Sequence, residues 1–224
     1  MIFSTKQLII FVMTLVTLIF FSYFYIDKSV SLYFIEHADT YKLFGKTVSK
    51  LGESHWYIAT GIIGAFYYRY VKSNELYKQR FLFLLYINIF SGLISLISKM
   101  IFGRLRPWKL ENGGDGYGFL ITQNDNFTFL QNINYQISMI MKDSTHYTSF
   151  PSGHTTTSMA LFTYMVILFP KQTYIWAGIT FIAVASRILA NDHFISDVLA
   201  GTIVGVLSTL FIYSKMKEKI EKNS

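Results

Sequence analysis

The chain has 224 residues, of which 52% are hydrophobic, 18% aromatic and only 15% charged, with a formal net charge of +7 and no cysteine. Soluble domains carry roughly 25% charged residues, and here the deficit is gathered into long uncharged runs, which excludes an ordinary water-soluble globule. Disulfides and thiolate metal sites are excluded, and no contiguous basic face makes the positive charge a nucleic-acid surface; basic ends flanking apolar spans fit a membrane and its anionic headgroups.

The first apolar run follows Lys6, and its uncharged stretch from Gln7 to Ile26 is longer than a signal-peptide core. Asp27 and Lys28 follow it rather than a small-residue cleavage site, so a retained transmembrane helix is expected over Leu8–Ile26. Five more spans are expected at Trp56–Val71, Phe81–Ser98, Thr155–Phe169, Thr173–Ala185 and Val198–Tyr213. The third holds 18 uncharged residues, about 27 Å of helix at about 1.5 Å per residue, close to the hydrocarbon thickness. The second, fourth and fifth are shorter, and singly each could be the core helix of a soluble protein. Six in one chain, with Gly, Ser and Thr spread along them for close helix approach, favour the bilayer. The expected fold is all-α: a polytopic membrane protein of six transmembrane helices, with residues 1–224 as one domain.

Six spans place both termini on one side. The 20 Lys and Arg residues divide evenly between the two faces. Lys99, Arg104, Arg106 and Arg187 lie in or beside signatures that bind an anion, and discounting them leaves the excess on the side of the termini. That predicts cytoplasmic termini and long loops outside. Between the first two spans, Tyr33, Phe34, Tyr41 and Phe44 mix with Lys42, Lys46 and Lys50, the pattern of a helix lying in the interface. The loop 108–150 carries Gly113, Gly114, Gly116 and Gly118 and is longer than most structureless connections; substrate recognition and a solvated linker are both open readings. Asn126-Phe127-Thr128 matches a glycosylation sequon, a pattern common by chance.

Three separated signatures end on the chemistry of phosphate. Lys99-x6-Arg106-Pro107 closes the third span, Pro151-Ser152-Gly153-His154 opens the fourth, and Ser186-Arg187-x5-His193-x3-Asp197 bridges the fifth and sixth. Alternating helices put all three on the same membrane face. His193 and Asp197 are four residues apart and share a helix face, so the carboxylate can bond one imidazole nitrogen and leave the other free as a nucleophile; a simple helix-capping pair is the alternative for these two alone. Arg187, at the end of an apolar span, is costly there without a partner, and its planar fork suits two phosphate oxygens. Lys99 and Arg106 extend the same cradle. Gly153 lets backbone amides approach an anion at a helix start, Ser152 can donate a hydrogen bond or cap the helix, and His154 can protonate a leaving oxygen. Arg104 and Lys109 are expected as interfacial anchors or headgroup contacts, and His37, His55 and His146 as surface or interfacial residues. Three cations already do for phosphate what a divalent metal often does, so no metal or other cofactor is expected.

With these motifs complete, the chain resembles the type 2 phosphatidic acid phosphatase superfamily, the lipid phosphate phosphatases. The resemblance rests on residues 99–107, 150–155 and 186–201, where Val198-Leu199-Ala200-Gly201 continues the last motif. It implies a hydrolase in which His193 becomes a phosphohistidine, Asp197 orients it and His154 protonates the leaving group. Lys99, Arg106, Arg187, Ser152 and Gly153 would hold the phosphoryl oxygens. It further implies a lipid partner in the membrane: phosphatidic acid, phosphatidylglycerophosphate, undecaprenyl diphosphate or a lipid A phosphate. The size of the chain agrees with a bacterial inner-membrane enzyme whose site faces the periplasm. Vanadium haloperoxidases share the motifs but are soluble, which the apolar spans oppose. A non-catalytic binder of anionic headgroups would need the cations but neither histidine. Nothing in the sequence sets an oligomeric state.

Overall fold

The computed structural model describes residues 4–110, 116–122 and 127–221. Gly113 and Gly114 of the long loop and Asn126 of the sequon lie outside the described residues. The described residues form ten α-helices and no β-strand, only two isolated bridges at Arg104. In chain order these are α1 (Thr5–Phe21), α2 (Asp27–Glu36), α3 (Ala38–Ser49), α4 (Ser54–Tyr70), α5 (Glu75–Phe102), α6 (Phe129–Lys142), α7 (Ser144–Tyr147), α8 (Gly153–Leu168), α9 (Thr173–Leu189) and α10 (Ile195–Glu221). The fold is all-α, as the uncharged runs require.

Each expected span coincides with a helix, but the bounds differ. Ser4 caps α1, its hydroxyl accepting from Gln7 N while the Gln7 amide oxygen accepts from Ser4 N. The helix passes through a π-turn at Ser22–Ile26 and continues as α2. Asn74 caps α5 seven residues before its uncharged run begins, and the helix runs on to include Lys99. Charge-free windows mark where a helix meets lipid, whereas caps mark where its backbone bonding stops. Thr5–Glu36, Glu75–Phe102 and Ile195–Glu221 are long and apolar enough to cross a bilayer; α4, α8 and α9 are shorter, at 17, 16 and 17 residues.

Exposed apolar side chains cover the outside of the bundle. Ile9, Met13 and Phe20 on α1, Ile63 and Phe66 on α4, and Phe181 on α9 are each more than half exposed. Such contiguous apolar surface is tolerable only against lipid. The protein is an integral membrane protein.

The core lies where α5, α8 and α10 meet, with Phe83, Ile87, Ala160, Tyr164, Tyr213 and Ile220 packed together. Along α5 the buried face repeats every four residues: Phe83, Ile87, Ser91, Ser95. The next position in that row is Lys99, so an apolar seam turns polar as it nears one end of the bundle. On α10 the corresponding row is Asp197, Gly201, Gly205, Thr209 and Tyr213. A Cβ at Gly201 would stand 2.6 Å from Ser152 O, and one at Gly205 would stand 2.4 Å from Thr156 O. Only glycine allows α8 and α10 to touch backbone to backbone here.

The long connection between α5 and α8 is not simply a linker. Thr128 and Gln131 form a capping box that starts α6. Gln136 on α6 donates its amide to Met100 O at 2.8 Å and Ile101 O at 2.7 Å, satisfying carbonyls at the open end of α5. The mixed aromatic and lysine stretch after the first span forms α2 and α3, and α3 packs against the end of α9 at Gly45.

Candidate active site

Helix ends and the turns beside them bring the three signatures to one end of the bundle. Lys99 sits in the last turn of α5, and its ammonium donates to Thr148 O at 3.0 Å. The segment after α5 is clamped by backbone bonds: Arg104 N to Tyr147 O at 2.9 Å, Ser149 N to Arg104 O at 3.0 Å, and Arg106 N to His146 O at 2.8 Å. Ser152 caps α8, its hydroxyl accepting from Thr155 N at 3.4 Å and from the Thr155 hydroxyl at 3.0 Å. Of the two roles open to Ser152, the capping geometry is the one occupied. Gly153 lies beside Lys99, since a Cβ there would stand 3.7 Å from Nζ.

At the end of α9 the chain turns sharply through Asn191, whose φ of 53° is a left-handed value that Asn tolerates. The turn lets Asp192 N and His193 N both donate to Arg187 O, at 3.1 and 3.3 Å. Arg187 and His193, six residues apart in sequence, are thereby held together. The Arg187 guanidinium also bonds the Asp192 carboxylate at 2.8 Å, the partner that its burial requires. Arg106 Nε and Arg187 Nε are buried and have no hydrogen-bond partner among the described residues. Guanidinium donors left unpartnered beside an ammonium are an arrangement that could receive an anion.

His193 is buried, 2% exposed. Burial holds its imidazole well below its usual range, and the charges of Arg106, Arg187, Lys99 and His154 push the same way. It is therefore neutral, with a lone pair available. The expected contact to Asp197 is present but not direct in the way the spacing suggested. His193 Nδ1 stands 3.6 Å from Asp197 Oδ2, beyond hydrogen-bond reach. Ser149 lies against both, its hydroxyl donating to Asp197 Oδ2 at 2.6 Å and standing 3.5 Å from His193 Nδ1. With Nδ1 on that side, Nε2 is the nitrogen left for a substrate.

A cavity of about 390 Å³ is lined by Glu53, His55, Lys99, Gly153 and His154 among others. His193 is not among its lining residues. Among the described residues no group of three His, Cys, Asp or Glu side chains is placed to share a metal ion.

One sequence expectation is overturned. Arg104 is not an interfacial anchor: its side chain is fully buried between Asp27 and Asp197, at 3.0 and 2.6 Å. Two carboxylates compensate the guanidinium that the apolar surroundings would otherwise reject. Lys109, by contrast, is exposed, with its ammonium over the Trp108 ring at 5.4 Å. His37 and His55 are surface residues as expected, and His146 is half-buried, pairing with Asp143 at 2.6 Å. Sequence reasoning missed Asp27, Arg104, Ser149 and Asp192. An Asp closing an apolar run was the available signal for the first, and a charge next to an anion motif for the last.

Known proteins share this chain's sequence pattern and its fold. The chain is 28% identical to the lipid A 1-phosphatase of Rhizobium johnstonii over 75% of its own length and 65% of that protein's. It is 28% identical to the lipid A 1-phosphatase of Rhizobium etli, covering 78% of this chain and 72% of the relative. Its fold matches the crystal structure of the first transmembrane PAP2 type phosphatidylglycerolphosphate phosphatase from Bacillus subtilis, with a TM-score of 0.56 and 18% identity over 95% of this chain and 98% of that one. Residues 80–221, more than half of the chain and containing all three signatures, match the PAP2 superfamily, and the protein belongs to that family.

Proposed function

We propose that the protein is a membrane lipid phosphatase working through a phosphohistidine, with residues 1–224 acting as one domain. The observation that carries the reading is the pair of buried guanidinium nitrogens of Arg106 and Arg187, without a hydrogen-bond partner among the described residues, beside the buried His193. Lys99, Arg106 and Arg187 bind the phosphoryl oxygens, with Ser152 and Gly153 shaping the helix start beneath them. His193 Nε2 attacks phosphorus, forming an N–P bond as the ester P–O bond breaks. His154 gives its proton to the departing oxygen. Asp197, with Ser149, holds the Nδ1 side of the ring as the imidazole becomes cationic. Water, deprotonated by His154, then attacks the phosphohistidine and releases inorganic phosphate with His193 restored. The cations stabilise the charge that spreads over the equatorial oxygens in both steps.

A non-catalytic headgroup binder would have no use for a buried Ser149–Asp197–His193 arrangement, since the cations alone suffice for binding. The six helices α1, α4, α5, α8, α9 and α10 cross the bilayer in this reading, with the site at the outer face of a bacterial inner membrane and the termini in the cytoplasm. The substrate is a lipid phosphate or diphosphate ester at the headgroup plane. The relatives' names put lipid A 1-phosphate first in the panel, beside undecaprenyl diphosphate, phosphatidylglycerophosphate and phosphatidic acid. Phosphate release from that panel by the purified protein, with chelator present and a His193→Ala control, tests the reading. Release that stops in the variant supports it; no release from any member contradicts it.

A further inference from the structure

We infer that Asp27 and Arg104 are positioning residues for Asp197, so that the end of the first helix sets both the geometry and the charge presented to His193. This inference rests on the phosphohistidine reading above. Neither residue lines the cavity or touches the Lys99, Arg106 and Arg187 cradle, yet both are sealed from solvent.

The network is specific. Arg104 Nη1 donates to Asp197 Oδ1 at 2.6 Å and to the Ser196 hydroxyl at 2.7 Å, while Nη2 donates to Asp27 Oδ2 at 3.0 Å. The guanidinium thus takes the Asp197 oxygen that is remote from the histidine. Oδ2 is left for Ser149 and for Phe194 N at 2.9 Å, and faces His193 Nδ1 at 3.6 Å. Aromatic rings surround the guanidinium, with its carbon 4.0 Å from the Phe194 centroid, 5.2 Å from those of Tyr23 and Phe119, and 5.3 Å from that of Tyr117. It cannot swing to a different partner. Asp27 in turn accepts from the Ser22 hydroxyl at 2.6 Å, from Ser196 N at 3.1 Å, and from the Ser196 hydroxyl. A carboxylate from α2 therefore caps the first turn of α10, the turn that carries Asp197.

The charge count adds a second consequence. One guanidinium serves two carboxylates, so the cluster keeps one net negative charge beside His193. If Asp27 were neutral, Arg104 would cancel Asp197, and the carboxylate would do less for an imidazole that turns cationic on taking a phosphoryl group. The other charged or titratable groups facing His193 are Lys99 on α5, Arg106 after it, His154 on α8, and Arg187 with Asp192 at the end of α9. Neither Asp27→Asn nor Arg104→Gln removes any of them.

The test uses the detergent-solubilised full chain with a lipid phosphate that the wild type hydrolyses and His193→Ala does not. If that control fails, the phosphohistidine reading itself falls. Given the control, Asp27→Asn is expected to lower kcat roughly tenfold to a hundredfold, as misplacement of a catalytic partner by about 1 Å does, with KM changed less than about twofold. The acid limb of its kcat profile moves to lower pH, whereas that of Arg104→Gln, which leaves both carboxylates uncancelled, moves to higher pH. Opposite movements are a signature that a scaffold role does not produce. Wild-type kcat in Asp27→Asn, a change confined to KM, or two limbs that stay put overturns the inference. Should either single variant fail to fold, Asp27→Asn/Arg104→Gln removes the charges as a pair; it is expected to fold with kcat still depressed, and wild-type kcat in it overturns the inference equally.

Discussion

Ser152 N donates to Asp197 O at 3.0 Å, joining the cap of the helix that carries His154 to the first turn of the helix that carries the orienting carboxylate. The start of α8 and the first turn of α10 are thereby parts of one rigid unit rather than of two helices that drift independently. The contact exists because Gly201, one turn along α10, has no side chain to hold the backbones apart.

Gly201→Ala should therefore disturb both stability and chemistry. Its Cβ would press on Ser152 O at 2.6 Å, closer than any real Cβ contact, and a backbone atom cannot swing aside. Overpacking of this kind costs about 1–3 kcal/mol. A lower thermal midpoint in detergent, with kcat reduced more than KM is raised, is the expected outcome. Gly92→Ala, in the interior of α5 where a Cβ meets nothing within 4 Å, should instead leave the midpoint no lower, since Ala favours a helix over Gly.

His193→Ala should remove turnover by at least roughly a thousandfold, as loss of a nucleophile does. Lys99, Arg106 and Arg187 remain, so binding of a lipid phosphate, measured by its inhibition of a tracer's binding, should change little. Loss of binding together with turnover would show that His193 mainly holds the ligand.

His154→Ala should slow the reaction by roughly 10²–10⁴-fold with a poor leaving group. An alkoxide needs a proton as it departs, and a diphosphate's leaving phosphate needs it less. The ratio of mutant to wild-type rates should therefore be closer to one for diphosphates. An equal loss on both substrate types would remove His154 from the leaving-group side.

The buried neutral state of His193 also has a stability consequence. Its folded-state pKa lies below the ordinary 6.5, depressed first by burial and then by Arg106 and Arg187. Above about pH 6.5 both folded and unfolded chains carry it neutral, and it adds no pH dependence. As pH falls through that value the unfolded chain takes up the proton first, so the folded state loses stability until its own lower pKa is reached. The wild type should lose more of its thermal midpoint between pH 7 and 5 than His193→Gln, which has no proton to gain.

The uncharged runs marked six of the helices, and the three motifs, each legible as a short local pattern, come together at one end of the bundle. Helix bounds were less legible: Asn74 and Ser4 stop or start backbone bonding outside the apolar windows. Capping boxes at Ser4–Gln7 and Thr128–Gln131 were present in the sequence and mark α1 and α6. What could not be read was pairing across the bundle. Arg104 looks like any basic residue after a transmembrane span until Asp27, 77 positions earlier, is placed against it. Ser149 likewise gains its position between Asp197 and His193 only when α10 folds back on α8.

Chemical trapping tests the central claim most directly. The wild-type chain, mixed with a lipid substrate labelled in its phosphoryl group and quenched within a turnover, should carry an acid-labile, base-stable phosphoryl group on the peptide containing His193, and His193→Ala should carry none. Full turnover with no label, or label on another residue, would contradict the account.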